Sequence, residues 1–129
     1  MKLPDSLTAL EWVLVRQSRS DRWLLDLAGA SAWAWSYPQG ISLAVEIELA
    51  ALDDVWLQRV CLWLASIRAN LDDSLLSERG KLYLVRRHEH VLGTVEWEAS
   101  LNQQLAVAAW LTKHAAEASS TAYAAGRRA

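Results

Sequence analysis

The chain has 129 residues, of which 53% are hydrophobic and 22% charged, and its formal net charge is −2. This length suits one domain with a sizeable core, while the mildly acidic balance argues against a nucleic-acid-binding protein, whose surface would be basic. No apolar run approaches the roughly 20 residues that span a bilayer, and Pro4 and Asp5 interrupt the start of the chain before any signal-like apolar run begins.

The first element is predicted to be a helix. Residues 4–6 are typical of a helix start, and three leucines follow at helical spacing. These are Leu7, Leu10 and Leu14. The helix is expected to end in the polar segment 17–21. Three apolar side chains lie off its main stripe, and they are either scattered exposed residues of an ordinary surface helix or part of a partner-binding surface: Leu3, Trp12 and Val15.

Three strands are predicted next, at residues 23–27, 33–37 and 41–49, because apolar and polar side chains alternate in each. In the first strand, Leu24 falls on the face opposite Trp23. We assign Leu24 to the partner-binding surface, together with the three off-stripe residues of the first helix. A charge at Leu24 is expected to weaken partner capture and to change stability little.

The turn after the second strand decides which face of the sheet the tryptophans occupy. Pro38 suits the first central position of a type I turn, and Gly40 suits a left-handed residue after it. A three-residue loop at 38–40 would place Trp35 opposite Leu43, in the core. A two-residue loop would place the aromatics on the face of Glu46 and Glu48, as candidates for partner binding. We predict the three-residue loop and therefore buried tryptophans.

The strongest pattern in the chain predicts a central helix over residues 53–70. Six apolar residues share one stripe at about 100° per residue. They are Leu52, Trp56, Val60, Trp63, Ile67 and Leu71. Asp53 and Asp54 suit the helix start. The single cysteine, Cys61, excludes an intrachain disulfide framework, which indicates a cytoplasmic protein, and it is expected to be a small buried residue.

A second apolar strip on this helix, formed by Val55 and Leu62, widens the apolar surface beyond what one sheet would cover. The run 82–85 is also continuously apolar, which is typical of a strand covered on both faces. We therefore predict a homodimer whose interface combines this helix and strand, through Val55, Leu62, Leu82 and Leu84.

The remaining elements complete an α+β fold. Residues 71–80 are predicted to be a polar loop, and strands at 82–85 and 91–97 are separated by a solvated hairpin at 88–90. Ser100 and Gln103 match a capping box that opens a last helix, and the tail 116–129 is expected to be disordered. The prediction is one domain over residues 1–115, with a twisted five-stranded antiparallel sheet and three helices in the order α-β-β-β-α-β-β-α.

Few residues suggest chemistry. The three histidines do not form a metal-binding pattern, since His88 and His90 are predicted to lie in a solvated turn and only His114 is left as a third ligand. The acidic pairs 53–54 and 72–73 are explained by helix ends. The sequence contains no phosphate-binding loop, nucleophile elbow or metal-spaced cysteine set. We therefore expect no catalytic residue, cofactor or metal, and a protein that is not an enzyme.

The predicted element order resembles the class I chaperones of bacterial type III secretion, and it is similar to the chaperone-like regulators encoded with such systems. The resemblance covers residues 3–115 and rests on that order and on segments 82–85, 91–97 and 101–111. It implies a fold without catalytic residues that dimerises through the central helix and a neighbouring strand. It also implies a surface that holds an unfolded-like segment of a secreted protein.

Three functions are compatible with these patterns. The first is a chaperone that keeps a cytosolic, secreted effector soluble and competent for export. The second is a regulator that sequesters another regulatory protein of the secretion system. The third is a small enzyme or ligand carrier with a pocket between sheet and helices. Neither nucleic acid nor membrane is expected as a partner.

Overall fold

The computed structural model describes residues 3–19, 21–48, 54–66, 73–89 and 92–127, with the backbone alone for residues 116–127. It confirms an α+β fold with three helices and one antiparallel sheet, in which the strands follow the order β1-β2-β3-β4-β6-β5. The elements are α1 (Asp5–Thr8), β1 (Val13–Ser18), β2 (Arg22–Leu27), β3 (Ala30–Tyr37), β4 (Gly40–Ile47), α2 (Asp54–Ser66), β5 (Asp73–Glu78), β6 (Lys81–Glu89) and α3 (Thr94–Arg127).

The sheet has six strands where five were predicted, because β1 and β5 were not predicted and the strand predicted over residues 91–97 does not form. The predicted first helix ends at Thr8, after which residues 13–18 pair with β2. Val13 and Val15 are β-branched residues that favour a strand, and they lie opposite Leu27 and Leu25. Pairing along the sheet edge therefore outweighs the leucine spacing that indicated a longer helix.

The hairpin after the central helix, formed by β5 and β6, lies earlier in the chain than predicted. Arg79 and Gly80 both have positive φ, 53° and 78°, as the two central residues of a type I′ turn require. The segment predicted as a polar loop therefore contains β5, and β6 continues through His88. The predicted strand over residues 91–97 was also wrong, because α3 begins at Thr94.

One face of the sheet packs against the helices and forms the core. Leu82 and Leu84 lie on this face, 2% and 0% exposed, because their register places them beside inward residues of β4. Their assignment to a subunit interface was therefore wrong. Leu3, which was assigned to the partner-binding surface, is also buried in this core, at 4% exposure.

The central helix is confirmed as α2, with Trp56, Val60 and Leu64 buried. It is held against α3 by aromatic contacts: the indole Nε1 of Trp56 donates to Nδ1 of His114 at 2.8 Å, and Trp63 stacks on a tryptophan of α3. Cys61 is exposed, contrary to prediction. Four residues of the predicted pattern lie outside the described residues: Leu52, Asp53, Ile67 and Leu71.

A buried ion pair joins β5 to β6 beneath α3. Arg86 donates from Nη2 to Oδ2 of Asp73 at 2.8 Å, and from Nη1 to Oε1 of Gln103 at 2.9 Å. Both charged side chains are almost fully enclosed, and a buried charge is tolerated when its partner and hydrogen bonds are present. Asp73 therefore pairs strands, instead of stabilising a helix end as predicted, and Gln103 contacts a strand instead of capping a helix.

His88 is buried, at 2% exposure, so its prediction as part of a solvated turn was wrong. The Nε2 amide of Gln104 donates to the carbonyl oxygens of Leu43 and Leu84, which leaves its Oε1 to face His88 Nε2 at 2.9 Å. An amide oxygen only accepts, so His88 donates from Nε2, and its Nδ1 lies 3.0 Å from the hydroxyl of Ser100. His90, the other histidine of that turn, lies outside the described residues.

Helix α3 continues to Arg127, through most of the segment predicted to be disordered. Among the described residues, no helix is long and apolar enough to cross a membrane.

Candidate functional site

The loop between β3 and β4 places the tryptophans opposite to prediction. Tyr37 pairs directly with Gly40 and Trp35 with Ser42, so the loop has two residues and the predicted burial of Trp35 beside Leu43 was wrong. Glycine is needed at position 40 for a reason other than the left-handed conformation that the sequence suggested. A Cβ at this position would lie 1.9 Å from the carbonyl oxygen of His88 on β6, so glycine allows the two strands to approach.

We call the sheet face opposite the helices the open face. The pairing registers assign to it Trp33, Trp35 and Tyr37 of β3, which share it with Glu46 of β4. The neighbouring strands add Arg22, Leu24, Asp26, Ser42, Ala44, Ser74, Leu76, Glu78, Lys81, Tyr83, Val85, Arg87 and Glu89.

Each aromatic side chain of β3 on the open face has an arginine over its ring. The guanidinium carbon of Arg19 lies 5.5 Å from the ring centroid of Trp33, and that of Arg22 lies 5.6 Å from Trp35. Arg87 is 5.8 Å from the ring of Tyr37. These distances are typical of cation–π contacts. The open face therefore carries a row of three arginine–aromatic pairs.

The open face is concave. Nη1 of Arg22, on β2, lies 3.1 and 3.2 Å from the two carboxylate oxygens of Glu78, on β5. Four strand spacings separate these strands, roughly 19 Å laterally in a flat sheet. Arg22 and Glu78 occupy diagonally opposite corners of the sheet. The twist of the sheet moves two such corners toward the same side of its mean plane. The ion pair therefore spans the face, and Tyr83, Ser42 and Ala44 beneath it are 7%, 4% and 1% exposed.

A pocket of about 390 Å³ lies on this face. It is lined by two aromatic, four basic and two acidic side chains: Trp33, Tyr83, Arg19, Arg22, Arg79, Lys81, Asp21 and Glu78. Its lining therefore carries two net positive charges in a chain whose net charge is −2. Within the described part of the chain, Arg22 pairs with Glu78 and Lys81 with Glu46, while neither Arg19 nor Arg79 forms an ion pair.

The predicted partner-binding residues do not form one surface. Leu24 lies on the open face, directly opposite Trp33. Val15 is 46% exposed but lies on the edge strand β1 instead of a helix, and Trp12 is partly buried against the core. Leu14 of β1 is 53% exposed.

The outer edge of the sheet also carries charge. Arg16 of β1 is paired with Asp26 of β2 at 2.6 Å. The hydrogen bond from Arg16 and another from the backbone N–H of Gly29 hold the pKa of the Asp26 carboxyl below its usual value. Charges of this kind protect a sheet edge against unspecific strand addition.

A second exposed apolar surface lies on the helices. Val55 and Leu62 of α2 are 60% and 72% exposed, and Trp110 of α3 is 44% exposed. Val55 and Leu62 thus remain candidates for a subunit interface, although Leu82 and Leu84 do not.

A smaller pocket, of about 280 Å³, lies between the sheet and α3 and is lined by Val45 and Leu105 among others. Ligand pockets usually have roughly 300–1,000 Å³, so this space is slightly smaller than a ligand carrier would need. In the described ranges, no group of three or more His, Cys, Asp or Glu side chains is placed to hold a metal ion.

Sequence reasoning missed the arginines of the open face. Arg19, Arg22 and Arg79 lie near turns, where isolated basic residues are ordinarily solvated, and only the sheet's curvature brings them together. Comparisons with protein-family models, with curated proteins and with solved structures found no match for this chain.

Proposed function

We propose that this protein is a non-catalytic binding protein, similar to class I type III secretion chaperones, that holds an extended segment of a cytosolic protein partner on its open face. The observation that carries this proposal is the row formed by Trp33, Trp35 and Tyr37 on the concave sheet face, each contacted by an arginine. Trp, Tyr and Arg are enriched among the residues that contribute most to protein–protein binding energy.

The arrangement of secondary structure also supports the proposal. The nine elements follow the order α-β-β-β-β-α-β-β-α, which differs from the predicted order by one more strand before α2. A partner held as an extended chain needs an uncovered sheet surface or edge. The partner would be a secreted effector in a chaperone, or a regulatory protein in a regulator of the same kind.

The test is partner capture followed by a binding measurement. Tagged protein is used to recover partners from a native lysate, the captured protein is identified by mass spectrometry, and its affinity is measured after purification. We expect Trp35→Ser to weaken binding at least about tenfold, or about 1.4 kcal/mol, because it removes an aromatic contact of the open face.

The control is Val95→Ser, which removes an exposed apolar side chain of α3, on the helical side of the molecule. It should bind the partner as the wild type does. Equal affinity of the wild-type and Trp35→Ser proteins would overturn the proposal, as would the recovery of a metabolite in place of any protein.

A further inference from the structure

We propose that the partner segment is acidic, with carboxylates at every second position, and that it lies along the arginine–aromatic row and pocket of the open face. This inference rests on the proposed function and specifies the chemistry of the partner. Its first support is charge: the pocket has four basic and two acidic side chains, in a chain that is acidic overall. Local excess charge attracts segments of opposite sign and excludes those of like sign.

The stacked arginines retain their capacity to bind carboxylates. A guanidinium that lies over an aromatic ring still presents N–H donors in its own plane, in a fork that matches a carboxylate. The guanidinium carbon of Arg19 lies 5.5 Å from the ring centroid of Trp33, and Arg19 forms no ion pair with any described residue. Arg79, at the turn between β5 and β6, is likewise without an ion pair in the described part of the chain.

The protein itself places a carboxylate in the pocket. Glu78 reaches across the open face, and both of its oxygens contact Nη1 of Arg22. This pair is partly exposed, with 35% and 36% of the two side chains accessible, and exposed pairs contribute little to stability. A carboxylate of the partner can therefore replace Glu78 at low energetic cost.

The spacing of the row favours an extended peptide over a small anion. The three aromatic residues stand two positions apart on β3, so successive arginine–aromatic pairs are about 7 Å apart and the row extends about 14 Å. A peptide in extended conformation presents alternate side chains at the same interval. Small-molecule sites are instead mostly apolar, whereas six of the eight residues that line this pocket are charged.

The experiment uses a fluorescently labelled decapeptide of alternating Glu and Thr, with fluorescence anisotropy as the readout of binding. Controls are a decapeptide of alternating Lys and Thr, and one with the same five glutamates in a single block. We expect the alternating acidic peptide to bind at least about tenfold more tightly than either control. Its affinity should fall as salt shortens the Debye length from about 10 Å at 0.1 M to about 3 Å at 1 M.

The matched variants separate the pocket from the overall charge. Arg19→Glu with Arg79→Glu should weaken the acidic peptide at least about tenfold, because two cations of the pocket become anions. Arg59→Glu with Lys113→Glu makes the same change in net charge at exposed helical positions and should leave the affinity unchanged. Arg79→Gln, at an exposed turn, repeats the test with a milder change, and circular dichroism verifies folding.

Three results would overturn the inference: no binding of the acidic peptide at low salt, equal weakening by pocket and control variants, or preference for citrate or ATP over the peptide at the pocket. The proposed function is tested separately, by Trp35→Ser and the captured partner. Loss of partner binding in that variant, combined with failure of the acidic peptide, would preserve the function and reject only the chemistry of the segment.

Discussion

The imidazole of His88 is enclosed between β6 and α3, where each ring nitrogen has a polar neighbour. Nε2 donates to the Gln104 amide, Nδ1 lies beside the Ser100 hydroxyl, and the ring is 4.9 Å from that of Trp97. Interactions of this kind involve residues from separate elements. For that reason the sequence pattern His88–Glu89, which looks like a polar turn, does not reveal them.

Replacing His88 with Ala should lower the free energy of unfolding by at least about 1–3 kcal/mol, because Gln104 Oε1 would be buried without a donor. The measurement is the urea midpoint at unchanged slope. Glu89→Ala, at the exposed neighbouring position of the same strand, is the control and should shift the midpoint little. A midpoint for His88→Ala equal to that of the control would show that the imidazole is not held as described.

At the scale of the elements, the contact between β4 and β6 depends on Gly40. A methyl group there would meet backbone atoms of His88, at 1.9 Å from its carbonyl oxygen, and backbone cannot rotate away as a side chain can. Gly40→Ala should therefore destabilise the protein by an amount at or above the upper end of the roughly 1–3 kcal/mol that overpacking costs.

Gly93→Ala is the matched control for this prediction, because its added Cβ would be 3.6 Å from a flexible Glu96 carboxylate, an ordinary contact. Thermal unfolding of the two variants provides the comparison. If both variants unfold at the wild-type temperature, then the strands have room to separate, and the register of Tyr37 with Gly40 is in doubt.

How far the sequence predicted each element depended on whether the signal was local. The central helix and strands β2 to β4 each carry a complete periodic pattern, and they were predicted correctly. Strands β1 and β5 are short edge strands, stabilised by the partners beside which they lie, and both were missed. The open face was missed because a change of one residue in loop length moves every side chain of a strand to the other face.

At the scale of the whole molecule, the sheet has two unlike surfaces. The helices cover one face completely at its centre, where Leu43, Leu84 and Leu101 have no exposed area. The open face is instead crossed by the ion pair of Arg22 with Glu78. A partner segment on the open face and a second copy on the helical side would thus not compete for space.

The homodimer prediction concerns that helical side. Isolated exposed apolar residues are normal on a monomer, but Val55 and Leu62 lie two turns apart on one face of α2, and both are more than half exposed. A two-fold interface brings one patch against its own copy, so each of these residues would be buried in both subunits. Leu62→Glu would place a charge near the centre of that interface in both subunits.

We therefore expect Leu62→Glu to elute as a folded monomer in size-exclusion chromatography with light scattering, and the wild type as a dimer. Val95→Glu exchanges an apolar residue of α3 that is even more exposed than Leu62, at 80% against 72%, and should remain dimeric. The desolvation cost of an unpaired buried charge far exceeds the loss of one leucine contact. A glutamate at position 62 therefore separates the dimer into monomers more effectively than an alanine would. A wild-type protein that is monomeric at micromolar concentrations would instead leave the patch of α2 available to a different protein.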